Sequence, residues 1–514
     1  VAEIALGRLH LMAIFPPSTR NIFLTNRNGR MSLFVKKPLE QLLRDAADGE
    51  KGLKKTLSSF NLVTLGIGAI IGAGLFSLTG IVAADNAGPG VTFSFIIAAI
   101  GCAFAGLCYA EFAAMIPIAG SAYTYAYTTM GEFVAWIIGW ALVLEYALGA
   151  ATVSISFSQY FGKFLNNMGL NFPPEWMHSP WEKYALADGT IVNGGTINIV
   201  AIIIVILISL LLIKGTQESA FVNNLLVILK VSVVLIFIAV GWGFINEENH
   251  IPFVPENTGK FGSFGWSGIL RGAGVVFFAF IGFDAVSTAA QEAKNPQKGM
   301  PIGILGSLAV CTILYVLFSY VMTGVANYKE FAGSAAPVAV AIGKTPYIWL
   351  NQTVIVAILA GYSSVMLVML MGQSRVFYTM SKDGLLPKMF SDVHPKFKTP
   401  YKCNLLFLVF VSLFAGFVPV KVVGELVSMG TLFAFVLVCI GVLVMRKSQP
   451  NAKRPFKTPL VPFVPVLGIL VCVAMMVGLP GKTWLNMLAW MAIGLIIYFS
   501  YSRKNSLLQN LGNG

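Results

Sequence analysis

The chain has 514 residues, of which 56% are hydrophobic and only 11% charged, and its formal net charge is +13. A soluble domain carries roughly 25% charged residues, so a water-soluble globular protein is excluded. The basic excess does not mark a nucleic-acid surface, because Lys and Arg gather in alternate loops between apolar runs instead of in one patch.

Those apolar runs are about 20 residues long and lack the ten-residue alternation of a barrel strand, so the chain reads as a polytopic helical membrane protein. Residues 1–30 carry Arg8, Arg20, Arg27 and Arg30, no acid after Glu3, and an FPPSTRN break. Their apolar stretch is too short for a signal peptide, and they are expected to lie outside the fold as a disordered or upstream extension. Met31 opens a basic leader, 31–61, expected along the inner membrane surface. Twelve spans follow, near 62–83, 91–115, 131–160, 197–213, 221–244, 266–290, 302–326, 348–380, 403–419, 428–446, 460–478 and 484–502. The segment GSAYTYAYTTMGEF after the second reads as a short interfacial helix, and 503–514 forms a tail.

Loop charge sets the orientation. The odd-numbered loops hold Lys163, Lys183, Lys260, Lys329, Lys344, Lys421 and Lys482; the leader, even loops and tail hold roughly three times as many basic residues. Both termini are therefore expected in the cytoplasm, and the cell membrane is the expected location. Six cysteines fall in or beside apolar runs without metal-type spacing and read as small core residues. Neither a metal nor a cofactor is expected, and the four histidines form no catalytic constellation.

Two spans break the apolar pattern. GIGAIIGAGLF, 66–76, places Gly66, Gly68, Gly72 and Gly74 inside what should be a firm helix, where each glycine costs about 1 kcal/mol relative to alanine. Five spans later, RGAGVVFFAFIGFDA, 271–285, repeats the pattern with Gly272, Gly274 and Gly282. Close helix packing explains one such run, since GAIIG is a G-xxx-G match. The pair fits two inverted five-helix repeats, 62–244 and 266–446, each opening on a helix broken at the membrane midplane, with 460–502 added behind them. A broken helix frees N–H and C=O groups for a ligand that carries both an ammonium and a carboxylate.

Charges at membrane depth are functional candidates, because burying one costs several kcal/mol. Lys230 lies about nine residues, roughly 13 Å, past Phe221 in an apolar run. Its ammonium must find carbonyls or hydroxyls or lose its proton, so it reads as a proton carrier, against the alternative of a permanently paired structural lysine. Glu145 sits in mid-span and reads as pocket-lining or as a structural hydrogen-bond partner. Asp284 follows the second break, as a relay or as a cap on the helix that resumes there.

GIGAIIGAGLFSLTG with AGPG, then FFAFIGFDAVSTAAQEAKNPQKGMPIGI, then RVFYTMSKDGLLP, resemble the amino acid–polyamine–organocation transporter superfamily, and most of all its cationic amino acid transporter branch. The resemblance runs from about Leu57 to the last span. It implies a leucine-transporter-like fold, all-α, with two inverted five-helix repeats plus two helices. It also implies an L-amino acid site. The carboxylate should meet the N–H groups of Gly72, Ala73 and Gly74, and the ammonium should meet carbonyls near Ile70, Phe278 and Ile281. Phe278 matches the family's aromatic gate, and Glu145, Gly149, Met366 and Met369 should wall the side-chain pocket. In sodium-coupled relatives an ion sits where Gly68, Ile71, Ala360, Ser363 and Ser364 fall here; in some proton-coupled relatives a lysine matching Lys230 takes its place. Proton-coupled uptake follows, of small neutral L-amino acids such as alanine and possibly arginine or lysine, since Met366 and Met369 suit apolar side chains and Glu145 pulls the other way. An exchanger without proton coupling is the alternative. A membrane enzyme would need clustered His, Cys or carboxylates at one face, a pattern the sequence lacks; a channel would need a charge-ringed or carbonyl-lined pore, and broken helices in both repeats fit alternating access better.

Overall fold

In hydrocarbon no water is available to the backbone, so an apolar run must close its own hydrogen bonds as helix. The computed structural model of the chain, which describes residues 33–38, 57–116, 121–185, 190–215, 220–334 and 336–513, shows this throughout. The expected extension 1–30 and most of the leader lie outside the described residues.

Helix α1 (Ser59–Ile70) opens on Ser58, whose hydroxyl oxygen accepts the Asn61 N–H at 3.2 Å. After a break, helical turns resume over Gly74–Leu78, Thr79–Val82 and Ala83–Ala87. Gly88, at φ +60°, and Pro89 then turn the chain into α2 (Val91–Met115). There follow α3 (Ser121–Thr129), α4 (Glu132–Asn167), α5 (Ile199–Lys214), α6 (Ala220–Trp242), α7 (Gly265–Val276), α8 (Pro296–Val325), α9 (Pro337–Ile342), α10 (Ile348–Lys382), α11 (Tyr401–Phe417), α12 (Val420–Ser448), α13 (Phe463–Gly478), α14 (Gly481–Ile497) and α15 (Leu507–Asn513). Among the described residues eight helical stretches are long and apolar enough to cross a membrane, while α1, α5, α11 and α13 are apolar but shorter.

Helices α4, α7 and α10 lie inside. The rim is formed by α5, α6 and α14, whose exposed Ile203, Leu207, Ile228, Leu235, Leu488 and Ile496 present the apolar face that lipid covers. Helix α14 docks on α4 through tryptophans: Trp140 stacks on Trp490 at 4.5 Å, and each indole N–H bonds the other's carbonyl, at 2.9 and 3.1 Å.

Three features depart from the sequence expectation. The loop after α4 holds a short antiparallel hairpin, β1 (Lys183–Ala185) and β2 (Ile191–Asn193), that the sequence did not announce, while the spans are helical. Helix α12 starts at Val420 instead of near 428. Lys421 and Glu425 resemble loop charges in sequence, but Lys421 pairs with Asp85 at 2.7 Å and buried Glu425 accepts the Thr483 hydroxyl at 2.8 Å. Helix α3 forms as expected, yet it is interior: Tyr123, Tyr125 and Tyr127 are buried, and Tyr125 stacks on Phe112 at 5.5 Å.

Candidate functional site

A helix end leaves four carbonyls without intrahelical partners, and each must be satisfied where water is excluded. In α1 the last helical bond runs from Ile71 N–H to Ile67 O at 2.9 Å, and Ile71 is extended, with ψ 106°. The open carbonyls therefore begin at Gly68. Lys230 Nζ on α6 donates to Gly68 O at 2.7 Å, and the Tyr315 hydroxyl on α8 donates to Ile70 O at 3.0 Å. Beyond Ile71 the backbone returns to helical geometry at Ala73, and Leu75 and Phe76 N–H both bond Gly72 O at 3.2 Å. The N–H groups of Gly72, Ala73 and Gly74 stand at this new helix start, where the dipole favours an anion.

The second break lies against the first. Helix α7 tightens into a 3₁₀ turn over Phe277–Phe280, Ile281 is extended, and Gly282 has φ +119°. A Cβ at Gly74 would lie 2.2 Å from Ala279 Cα, and one at Gly282 would lie 2.8 Å from the Ala69 carbonyl carbon. Glycine is required at both positions because backbone meets backbone, and at Gly282 also because of its φ. The Tyr315 hydroxyl that reaches Ile70 O is also 3.0 Å from Ala279 O. Gly282 N–H donates to Asp284 Oδ1 at 3.2 Å, and Asp284 Oδ2 accepts the Tyr146 hydroxyl. Asp284 thus reaches back into the break and across to α4.

Helix α10 completes the surroundings. Its Val365 faces Gly72, at 3.3 Å from where a Cβ would stand, and its Tyr362 hydroxyl meets Ser77 Oγ at 3.0 Å. Gly361 leaves room for the Lys230 stem, whose Cε is 3.0 Å from an added Cβ. The nearby Ser363 and Ser364 hydroxyls donate within their own helix, to Leu359 O and Gly361 O at 3.0 Å, and Ala360 is partly exposed. Met369 packs on Gly149 of α4, its sulfur 3.4 Å from an added Cβ, and Met366 and Phe278 are buried. Glu145 is fully buried, and among the described residues neither of its carboxylate oxygens has a hydrogen-bond partner. Thr431 lies beside it, but that hydroxyl donates to Val427 O at 3.0 Å.

A family model described as amino acid permease matches residues 57–499. The branched-chain amino acid permease BcaP of Bacillus subtilis (strain 168) is 46% identical over 478 residues, 93% of this chain and 99% of the relative. The methylthioribose transporter of the same strain is 43% identical over 477 residues, with the same coverage. The vacuolar cationic amino acid transporter 4 of Arabidopsis thaliana is 35% identical over 421 residues, 82% of this chain and 68% of the relative. The chain belongs to the amino acid permease family. It is a multipass membrane transporter of the amino acid–polyamine–organocation superfamily, not an enzyme.

In this permease the structure brings together Gly68 with Lys230, Ile70 with Tyr315, Gly72 with α10, and Gly149 with Met369. Sequence reading passed over Tyr315, Tyr146, Ala279 and Gly361. Tyr315 carried a faint signal, a polar hydroxyl inside the apolar run CTILYVLFSY. Gly361 carried none, because its use depends on a lysine more than a hundred positions earlier.

Proposed function

We propose that this permease takes up neutral L-amino acids with protons by alternating access, over a range from alanine to the branched-chain residues. Twelve spans in two inverted five-helix repeats plus two helices, with both termini in the cytoplasm of a cell-membrane protein, frame the reading. The observation that carries it is the Lys230 ammonium on the Gly68 carbonyl at the end of α1, with the lysine stem packed on Gly361 of α10. A cation there holds α1 against its neighbours, and loss of the proton weakens the hold. Substrate carboxylate is assigned to the Gly72, Ala73 and Gly74 N–H groups, ammonium to the carbonyls of Ile70 and of the Phe278–Ile281 turn, and side chain to the space walled by Glu145, Gly149, Met366 and Met369.

Branched-chain amino acids enter the proposed range through the names of two relatives, the B. subtilis permease and one from Lactococcus lactis, 34% identical over 473 residues. The methionine wall favours the same class. A methylthio sugar has neither ammonium nor carboxylate, so the two broken helices support an amino acid over it. Purified protein in liposomes under an inward proton gradient is expected to accumulate L-leucine, L-valine or L-alanine above equilibrium, saturably and in preference to the D-forms. Methylthioribose should not compete. Flux seen only with amino acid on both sides would replace symport by exchange.

A further inference from the structure

Lysines gather where two lipid-facing helices end. Helix α5 exposes Leu207 and Leu210 and closes on Lys214, while α11 opens at Tyr401 and exposes Leu405 and Val409. The loop between α10 and α11 joins these two ends. The Thr399 hydroxyl donates to Ile213 O at 2.8 Å, and a Cβ at Gly215 would lie 3.2 Å from Phe397 O. The loop is a closed turn. Lys398 N–H donates to His394 O at 2.9 Å and His394 N–H to Thr399 O at 2.8 Å, while His394 Nδ1 accepts the Lys396 and Phe397 N–H groups at 3.2 and 3.1 Å. Lys398 sits at φ +57°, a left-handed conformation in which a lysine is strained.

Lys214, Lys388, Lys396 and Lys398 are exposed, and among the described residues none of them enters an ion pair. The acids of the loop are already engaged, Asp383 by Lys37 at 3.0 Å and Asp392 by Lys402 at 2.6 Å. Exposed Met389 and Val393 stand between the lysines in the same loop. Ammonium groups beside apolar side chains, at the level where lipid-facing helices end, complement a phosphate headgroup above its acyl chains. We propose that this loop, with Lys214, is a docking surface for anionic phospholipid, and that the bound headgroup fastens the end of α5 to the loop and speeds transport. The loop can pass this load on because it is fixed to α10: the Ser381 hydroxyl donates to Pro387 O at 2.8 Å, and Phe377 meets Phe390 at 5.0 Å. Helix α10 is the one that receives the Lys230 stem at Gly361.

The test uses the full chain and two readouts. Native mass spectrometry in detergent counts phosphatidylglycerol bound per chain as that lipid is titrated. A lysine near an anionic surface contributes about fivefold in affinity, so Lys214→Gln, Lys396→Gln and Lys398→Gln combined are expected to weaken binding about a hundredfold. Arginine at the same three positions keeps the charge and should bind as wild type does. Lys260→Gln, Lys329→Gln and Lys482→Gln combined remove equal charge at the other ends of the helices and should change binding less than about threefold. The second readout is L-leucine uptake in liposomes of phosphatidylcholine, with and without phosphatidylglycerol. Wild type is expected to be at least about threefold faster with the anionic lipid, and the Lys214, Lys396, Lys398 glutamine variant to be indifferent to it. Equal weakening by both glutamine sets would mean a diffuse effect of charge and would overturn the proposal. So would displacement of the lipid by millimolar inorganic phosphate, which would make this a site for free phosphate, or a wild-type rate that ignores the lipid. The lipid count needs no transport: selective binding without any L-leucine uptake would contradict the amino acid reading and still support the docking surface.

Discussion

Lys230 combines a charge, a depth and a partner. The ammonium donates to Gly68 O at 2.7 Å while its methylenes lie on Gly361, so it touches both α1 and α10 from a third helix. Lys230→Ala is expected to abolish accumulation driven by a pH gradient while leaving counterflow of amino acid measurable, since the carboxylate and ammonium groups have other assigned partners. Full pH-driven accumulation by that variant would remove Lys230 from the coupling step. His250 supplies the control. It lies in the loop between α6 and α7, and burial pulls its imidazole below the ordinary histidine range, against a smaller opposing effect of the Tyr320 carbonyl. A histidine so shifted is neutral at about pH 7, and His250→Gln should leave the pH profile of uptake unchanged there. At this scale the sequence was informative wherever a residue type violated its surroundings. A lysine or a glycine in an apolar run stands out. Tyr315 does so only faintly, because a tyrosine is at home in such a run until its hydroxyl is seen between two carbonyls 245 and 36 positions away in the chain.

The two interrupted helices act as one element. Neither glycine-rich run is explained by its own helix: Gly74 is required by Ala279 and Gly282 by Ala69, each on the opposite break. Gly74→Val therefore forces the breaks apart, since the obstacle at 2.2 Å is backbone and cannot turn aside. Overpacking of this kind costs about 1–3 kcal/mol. The expected result is a lower melting temperature in detergent and uptake reduced at least about tenfold, and a variant with normal uptake would show that the breaks need not touch. The glycine spacing in the sequence announced both interruptions. It did not announce their contact, which depends on how α7 and its turn pack across the chain, nor the early start of α12, where charges that look like loop are held by Asp85 and Thr483.

Across the whole molecule, the face proposed as cytoplasmic is closed by segments that the sequence read as leader, loop and tail. Lys37 pairs with Asp383 at 3.0 Å, and Tyr123 of α3 donates to the same carboxylate at 2.7 Å. Glu132, fully buried at the start of α4, accepts from Tyr127 at 2.9 Å, Tyr498 at 3.2 Å, Gln509 at 2.6 Å and the Ser506 hydroxyl. Glu132 thus gathers several of the bonds that hold the tail, beside the Leu507 N–H bond to Asp383 O at 3.2 Å and the Ser502 hydroxyl bond to Leu385 O at 2.6 Å, and Glu132→Ala leaves buried donors without an acceptor at about 1–3 kcal/mol each. Trypsin is expected to cut after Lys504 at least about tenfold faster in that variant; an unchanged rate would mean that the tail is held by other contacts. Loop charge yields an expected orientation because it depends on composition alone, whereas the tail's anchoring depends on Glu132, beside Tyr127, meeting Tyr498 and Gln509 far along the chain. The most direct test of the whole account is the initial rate and final level of L-leucine uptake into liposomes with and without an inward proton gradient. The account predicts saturable accumulation above equilibrium that collapses when a protonophore removes the gradient; uptake that ignores the gradient, or appears only against internal amino acid, would contradict it.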